Sequence, residues 1–544
     1  MLRITELALP IDGPANALRQ AIVERLRIND ADLLDFTVFK RSHDARRKNS
    51  VVTFVYIVDV SVRDEAAVLR RLARDRHIGP SPDTQYYPPA TAPTGLDERP
   101  VVVGFGPGGL FAALILAQQG YRPIVLERGR DVRRRTQDTW GLWRKRILTP
   151  ESNVQFGEGG AGLFSDGKLY SQIKDPKFYG RKVMREFVRA GAPPEILYVS
   201  RPHIGTFRLT GVVSTMRAEI IRLGGEVRFE NKVTDVLLED GRMQGVQLDD
   251  GTTLHSHHVV LALGHSSRDT FRMLQRRGVF IEPKPFAVGF RIEHPQSMID
   301  RARYGTFAGH PALGAADYKL VHHAHNGRAV YSFCMCPGGT VVAATSEAGR
   351  VVTNGMSQYS RNERNANAGI VVGIQPAIDY PGGPLAGVDL QERLEAHAFE
   401  LGGGDYSAPG QLVGDFVQGV PSPALGEVEP SYKPGVRLVD LASTLPAYAI
   451  EAIREAIPVF GRQIRGFDRP DAVFTGVETR TSSPLRITRD PQSLQSLNVR
   501  GLFPCGEGAG YAGGILSAGV DGIRVAEAVA RSLCEAAPRR TLSA

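Results

Sequence analysis

Cysteine is scarce in this chain of 544 residues, with four in all, two of them close together as Cys334-Met335-Cys336. Thiols so few and so unevenly spread exclude the disulfide framework of small secreted domains and predict reduced cysteines. No apolar run approaches the roughly 18–20 residues that cross a bilayer. The amino terminus, MLRITELALPIDG, has neither the basic start nor the apolar core of an export signal. Cytoplasmic residence without a membrane partner is the resulting expectation. A large charge excess is lacking too: 66 basic residues against 58 acidic leave +8, which favours an anionic ligand or nucleic acid without requiring either. With 42% hydrophobic and 23% charged residues, the chain is an ordinary globular one, long enough for two or three domains.

Glycine is abundant, at 59 residues, and its placement is informative. Residues 101–127 read VVVGFGPGGLFAALILAQQGYRPIVLE. A β-branched strand at 101–103 runs into Gly104, Gly106, Pro107, Gly108 and Gly109, a G-x-G-x-x-G turn. A helix follows, with Leu110, Leu114 and Ala117 at helical spacing and Gly120 at its end, and a second strand closes on Glu127. The glycines permit a tight turn and close backbone approach to a pyrophosphate, while Glu127 can accept hydrogen bonds from ribose hydroxyls and repel the 2′-phosphate of NADP. Glycine-rich turns also arise by chance, so the strand, helix and acid around this one carry the dinucleotide reading. FAD and NAD are equally compatible with it. A basic cluster follows, Arg128, Arg130, Arg133, Arg134, Arg135, Arg144, Lys145 and Arg146, either a solvated face or partners for ligand phosphates.

Residues 1–95 form a separate pattern: an extended start, helices around 15–27 and 64–74, and alternating strands near 34–40 and 51–60. This is a small ferredoxin-like α+β unit closed by a proline-rich linker. Its hairpin carries Lys40, Arg41, Arg46, Arg47 and Lys48. Docking is the first reading of that hairpin; nucleic acid contact through 40–48 is the second, without a visible aromatic stacking motif. Further on, a helix at 210–223 precedes a β-meander with turns at 239–241 and 249–251, and then a strand at 259–263 ending in Gly264. Residues 276–475 hold many short strands and no second G-x-G-x-x-G, as an inserted substrate domain would. A strand at 502–505, a glycine loop at 506–514 and a helix from Ile515 return the chain to the nucleotide domain.

Together, the turn at 104–109, the meander ending at Ala262 and Gly264, and the late Gly506-Glu507 loop resemble the FAD-binding domain of glutathione-reductase-like flavoproteins. The resemblance implies FAD. Those proteins carry Gly-Asp where this chain has Gly506-Glu507, so the acid that meets the ribityl chain is one carbon longer here. It also implies that the helix start at Gly513, Gly514 and Ile515 faces the flavin pyrimidine. The loop FGEGGAGLFSDGK, with Gly159, Gly160, Ala161 and Gly162, would run across the pyrophosphate and isoalloxazine. Nearly the whole chain is similar to the bacterial family of FAD-dependent dehydrogenases described as NAD(FAD)-utilising. The likeness rests on GFGPGGLFAA, NVQFGEGGAGLFSDGKL, FAVGFRIEHPQ, YSFCMCPGG, VVTNGMSQYSRNERNANAGIVV and PCGEGAGYAGGILSAGVDG. The expected fold is therefore α/β: a doubly wound Rossmann-like FAD-binding domain in two parts (96–275 and 476–544), an inserted α+β substrate domain (276–475) and the ferredoxin-like α+β domain (1–95).

Flavin chemistry asks little of the protein beyond positioning, tuning and a proton donor or acceptor. Lys168, with Ser165, is a candidate to hydrogen-bond flavin or substrate. His203, Arg291 and His294 flank expected strand ends and are candidates for proton donor or anion anchor. Asn354, Ser357, Arg361, Asn365 and Asn367 make a polar, helix-like stretch near the expected cavity. Cys334 and Cys336 fit a redox dithiol less well than packing, because familiar flavin disulfide reductases space their cysteines more widely near the nucleotide turn. His322, His323 and His325 do not complete a metal-ligand spacing with the pair, so no metal is expected. The reaction these residues suggest is hydride transfer between bound flavin and a small organic substrate, with NADH or NADPH docking transiently or a second protein supplying electrons. Two rivals stand beside it: a flavin enzyme acting on RNA or another large anion, and a protein that holds FAD only as a structural or sensing ligand. Oligomeric state is not legible.

Overall fold

A computed structural model describes residues 1–44 and 52–536. The nucleotide turn begins on Val101–Val103, the middle strand of a five-stranded sheet whose order is Leu502–Pro504, Val259–Leu261, Val101–Val103, Ile124–Glu127 and Glu226–Phe229. Every pairing in it is parallel. Such a sheet needs apolar cover on both faces, and its three-residue strands are accordingly buried runs of Val, Leu and Phe. The helix Pro107–Gln118 is apolar all round and buried from Gly108 to Ala117. It packs on the long helix Ile515–Ala536, where a side chain at Gly522 would collide with the Gly108 carbonyl, so two parts of the chain distant in sequence share one core.

The strands Val233–Glu239, Arg242–Leu248 and Thr253–His255 form the separate three-stranded meander. The helix before them covers Thr206–Arg222, starting four residues earlier than the sequence suggested, and the hydroxyl of its first residue, Thr206, donates to the Ser165 carbonyl at 2.9 Å. The inserted region is built on an eight-stranded sheet centred on Phe286–Pro295, which pairs with Asn365–Ile374 on one side and Val473–Glu478 on the other. It therefore runs a few residues past 475. The stretch read as a polar helix is instead two strands, Thr353–Ser357 and Asn365–Ile374. Its polar side chains misled because they point into a buried polar layer: Asn365 meets Glu293 at 2.9 Å, and Asn367 meets Arg291 at 3.2 Å.

At the amino terminus, an antiparallel sheet runs Leu33–Asp44, Thr53–Val62, Leu2–Pro10, Ile78–Pro80, with helices Ala17–Leu26 and Glu65–Arg71. It docks edge-on: Arg41 N–H donates to the Tyr198 carbonyl at 2.6 Å and Ser200 N–H to the Arg41 carbonyl at 2.9 Å. Phe39 lies between the guanidinium groups of Arg3 and Arg181. The proline-rich segment after it lies along the nucleotide domain, with Ala92 N–H bonded to the Gln119 carbonyl at 2.8 Å. Among the described residues, no helix is long and apolar enough to cross a membrane.

Candidate active site at the carboxyl ends of the parallel strands

A cavity of about 340 Å³ opens where the strands at 101–103, 259–261 and 502–504 end, between the parallel sheet and the inserted region. Ligands of open α/β sheets bind at such a crevice. Gly104, Gly106, Pro107 and Gly108 line it from the first turn, and Glu127 and Arg128 from the second strand end. Gly160, Ala161 and Gly162 form one wall, Ala262 and Gly264 another, and Gly506, Glu507, Gly513, Gly514 and Ile515 a third. Gly109 and Gly159 stand behind the lining. Gly109 is pressed against the Gly104 carbonyl, and Gly159 N–H donates to Phe105 O at 2.9 Å, tying the second glycine loop to the first.

Four of the glycines that face the cavity, Gly106, Gly264, Gly513 and Gly514, are spacious on the protein side, whereas Gly104, Gly160 and Gly162 are pressed against their neighbours. A methyl at Gly106 would have only the Gly160 Cα near it, at 3.6 Å, and one at Gly264, Gly513 or Gly514 would meet nothing within 4 Å. What a Cβ would occupy there is the cavity itself. The helix start at Pro107 has no side-chain cap, so its first N–H groups stay available to an anion. Glu127 is buried and accepts N–H bonds from Phe105 (2.9 Å), Gly129 (2.8 Å) and Gly157 (2.9 Å). A carboxylate has about four lone-pair sites, so one remains for a ligand hydroxyl. These features fit a dinucleotide such as FAD.

The basic cluster after Glu127 is largely neutralised by carboxylates. Arg128 makes paired bonds to Asp269 at 2.9 Å and one to Glu151 at 2.6 Å, and Arg130 and Arg134 both meet Glu230. Arg135 is fully buried and donates to the carbonyls of Asn153, Val154, Gly157 and Glu158, pinning the loop that forms the cavity wall. Burial pushes its pKa down to about 10. Of the basic hairpin at 40–48, Lys40 and Arg41 belong to a docked strand, whereas Arg46, Arg47 and Lys48 lie outside the described residues.

Among the proposed catalytic side chains, Lys168 lines the cavity and donates to the Met335 carbonyl. Three others do not line it. His203 is turned to the Tyr359 carbonyl at 2.9 Å and stacks on the Tyr359 ring, while its backbone bridges to Lys168. Arg291 sits mid-strand beneath the cavity, in a bidentate pair with Glu478 (2.6 and 3.0 Å), and donates to the Cys334 carbonyl at 2.8 Å and to Asn354 at 2.9 Å. Its donors are committed, so it positions residues rather than meeting a substrate. His294 is buried against Phe467, bonded to that residue's carbonyl at 2.6 Å, and burial holds its pKa down to about 4. Alternation along a strand separates the last two: Arg291 lies under the cavity floor made by Cys334 and Asn354, and His294, on the opposite face, is turned to Phe467.

Other lining residues escaped the sequence reading. His265 follows Gly264 directly at a parallel strand end, a position that could have been flagged, and its Nδ1 lies 3.6 Å from Glu507. Burial, with Arg480 and Arg268 nearby, drives His265 down to about 3, so it is neutral. Burial pushes the Glu507 carboxyl up to about 7. Asp166, paired with Arg361, and Cys334 also reach the cavity. Cys334 corrects the packing interpretation of that residue.

A parallel sheet with a glycine-lined crevice at its strand ends, closed over by a second sheet, has the shape and donors to receive a dinucleotide. Residues 285–481 match the family described as "FAD-dependent protein, C-terminal domain-like", and residues 1–61 match a family described as a domain of unknown function. The chain belongs to the same family as a Clostridium beijerinckii protein described as uncharacterized, to which it is 48% identical over 527 residues, 97% of this chain and 98% of that one. Solved structures with more distant likeness include L-proline dehydrogenase from P. horikoshii (14% identity, 80% of this chain and 95% of that one, TM-score 0.33). Glycine oxidase from Geobacillus kaustophilus is another (12% identity, 80% and 95%, TM-score 0.34).

Proposed function

We propose that this chain is a FAD-dependent oxidoreductase acting on a small organic substrate. The observation that carries this is the crevice at three parallel strand ends, where glycines face space that no protein atom fills. Glu127 would hold the adenosine ribose, the N–H groups after Gly106 the pyrophosphate, and Gly506 with Glu507 the ribityl chain. The helix starting at Ile515 directs its positive end toward the cavity and would favour negative charge on the flavin ring. When bound, FAD supplies hydride transfer. Glu507, with its pKa near 7, holds or releases a proton at neutral pH, and neutral His265 lies beside it, its Nδ1 3.6 Å from the carboxylate. Lys168 and Asp166, the latter held by Arg361 from behind the lining, face the side nearest the inserted sheet and orient the substrate. With one glycine-rich nucleotide turn in use for FAD, a nicotinamide donor would dock transiently from solvent.

The test is anaerobic: FAD-loaded protein is mixed with NADH or NADPH and with candidate reduced substrates, and bleaching of the flavin absorbance is followed. Bleaching by one class supports the reading and fixes the direction of electron flow. A flavin that photoreduces yet exchanges electrons with none of them would instead mark FAD as a structural or sensing ligand.

A further inference from the structure

The pair Cys334 and Cys336 lies on the strand Ala329–Ala343, at a break in its ladder with Asn365–Ile374. Phe333 pairs with Gly369, but the next partners are Cys336 and Asn367. Two residues therefore stand between paired positions on one strand against one on the other, a bulge that frees the backbone at 334 and 335. Cys334 takes φ +40, the left-handed region that residues other than glycine seldom occupy, and Arg291 holds its carbonyl at 2.8 Å. Strained positions of this sort gather at active sites. The Cys336 thiol turns back toward Cys334, with Sγ 3.3 Å from the Cys334 carbonyl oxygen. Two residues apart along the chain, their Cα atoms can lie no farther apart than about 7 Å, near the upper end of what a disulfide spans.

The surroundings separate these thiols from Cys505. Cys334 lines the cavity, and Lys168 and Arg291 both approach it. The Cys336 thiol beside it and the cations Lys168 and Arg291 hold the Cys334 thiol well below the ordinary range, whereas Cys336 is raised. Cys505 is wholly buried beside Gly108, and its thiol is pushed up by burial. One electropositive, accessible thiolate with a protonated neighbour has the form of an attacking and a resolving cysteine.

We propose that Cys334 and Cys336 are a redox-active dithiol whose substrate is a disulfide, a deepening that rests on the flavin oxidoreductase reading. The Cys334 thiolate attacks one sulfur of the substrate disulfide; an S–S bond forms to the protein and the first substrate thiolate leaves, taking a proton from solvent. Cys336 gives up its proton and attacks the Cys334 sulfur, closing the 334–336 disulfide and releasing the second substrate thiol. The substrate has gained two electrons and two protons; the dithiol has lost two electrons and one proton, and solvent has supplied the other proton. Reduced FAD, when bound, would supply the two electrons and one proton that return the pair to the Cys334 thiolate and the Cys336 thiol.

The test uses the full-length protein, FAD-loaded and FAD-free, incubated with glutathione disulfide and then alkylated under denaturing conditions for peptide mass spectrometry. The expected result is one peptide carrying both Cys334 and Cys336 unalkylated, lighter by two hydrogens, with Cys505 still alkylated. In the reduced native protein, iodoacetamide should modify Cys334 more than about tenfold faster than Cys505. Cys336→Ser should instead trap a glutathione adduct on Cys334, and Lys168→Met should move the alkylation pH profile upward. Both thiols remaining alkylatable after glutathione disulfide, or Cys334 reacting no faster than Cys505, overturns the dithiol. FAD content is measured on the same samples: protein that refuses FAD sinks the flavin reading, whereas FAD-bound protein with inert thiols sinks only this one.

Discussion

Two glycines of one turn divide the labour that the G-x-G-x-x-G pattern merges. Gly109 is required by the protein itself, because any side chain there would strike the Gly104 carbonyl; Gly106 is not, since its Cβ position meets only Gly160 Cα at 3.6 Å and faces the cavity. Gly106→Ala should leave the melting temperature of the FAD-free protein within about 2 °C, the effect of a few tenths of a kcal/mol, and weaken FAD binding at least about tenfold by fluorescence titration. Gly109→Ala should lower stability by about 2 kcal/mol or more and yield little folded protein. Equal damage from both would mean that the crevice is packing rather than a ligand cradle. At Glu507 the sign of a pH effect follows from burial. Its carboxyl keeps its proton in the folded chain up to about pH 7, while the unfolded chain releases it near the ordinary 4.5. Between those values the folded state binds more protons, so stability from this group is full below the lower value and is lost as pH rises to the upper. The melting temperature of FAD-free wild type minus that of Glu507→Gln should therefore decline from about pH 4.5 to 7 and then level off; a flat difference would show that Glu507 ionises normally.

Among the elements, the loop at 153–158 depends on one side chain. Arg135 is fully buried and donates to four main-chain carbonyls of that loop, which has little regular structure of its own. Arg135→Met keeps the volume but strands those acceptors, so chemical denaturation should report a loss of about 3 kcal/mol. A loss below about 1 kcal/mol would mean that water replaces the guanidinium. Legibility in the sequence followed the same local logic. The unit at 101–127 was readable because each signal acts on its neighbours: β-branched strand, glycine turn, apolar helix, terminal acid. The strands at 353–357 and 365–374 were not, since their asparagines are paid for by partners such as Glu293 and Arg291 tens of residues away. Lys168 could be named from its glycine-rich motif, whereas Arg291, His203 and His294 could not be sorted from it, because strand facing and cavity position are set by tertiary pairing. Cys334 was undervalued for the same reason: a regular strand gives two alternating thiols no special exposure, and the bulge that does so is visible only in the sheet.

The whole molecule is an assembly of distant pieces around one crevice. Its walls come from residues near 104, 160, 264, 334 and 507, and the helix Ile515–Ala536 locks onto Pro107–Gln118 near the far end of the chain. A buried network couples the two large parts: Arg268 reaches Glu395 across the boundary, and Arg480, bonded to the same Glu395, reaches back to Ser266. FAD filling that crevice would bind the folded chain alone, so saturating FAD at about a hundred times its Kd should add about 2.7 kcal/mol and raise the melting temperature. The most direct measurement is the absorbance spectrum of the purified, folded protein, before and after incubation with FAD, with released cofactor quantified after denaturation. The account predicts a yellow protein that carries or takes up one FAD per chain. A colourless, correctly folded protein that refuses FAD on reconstitution would contradict it.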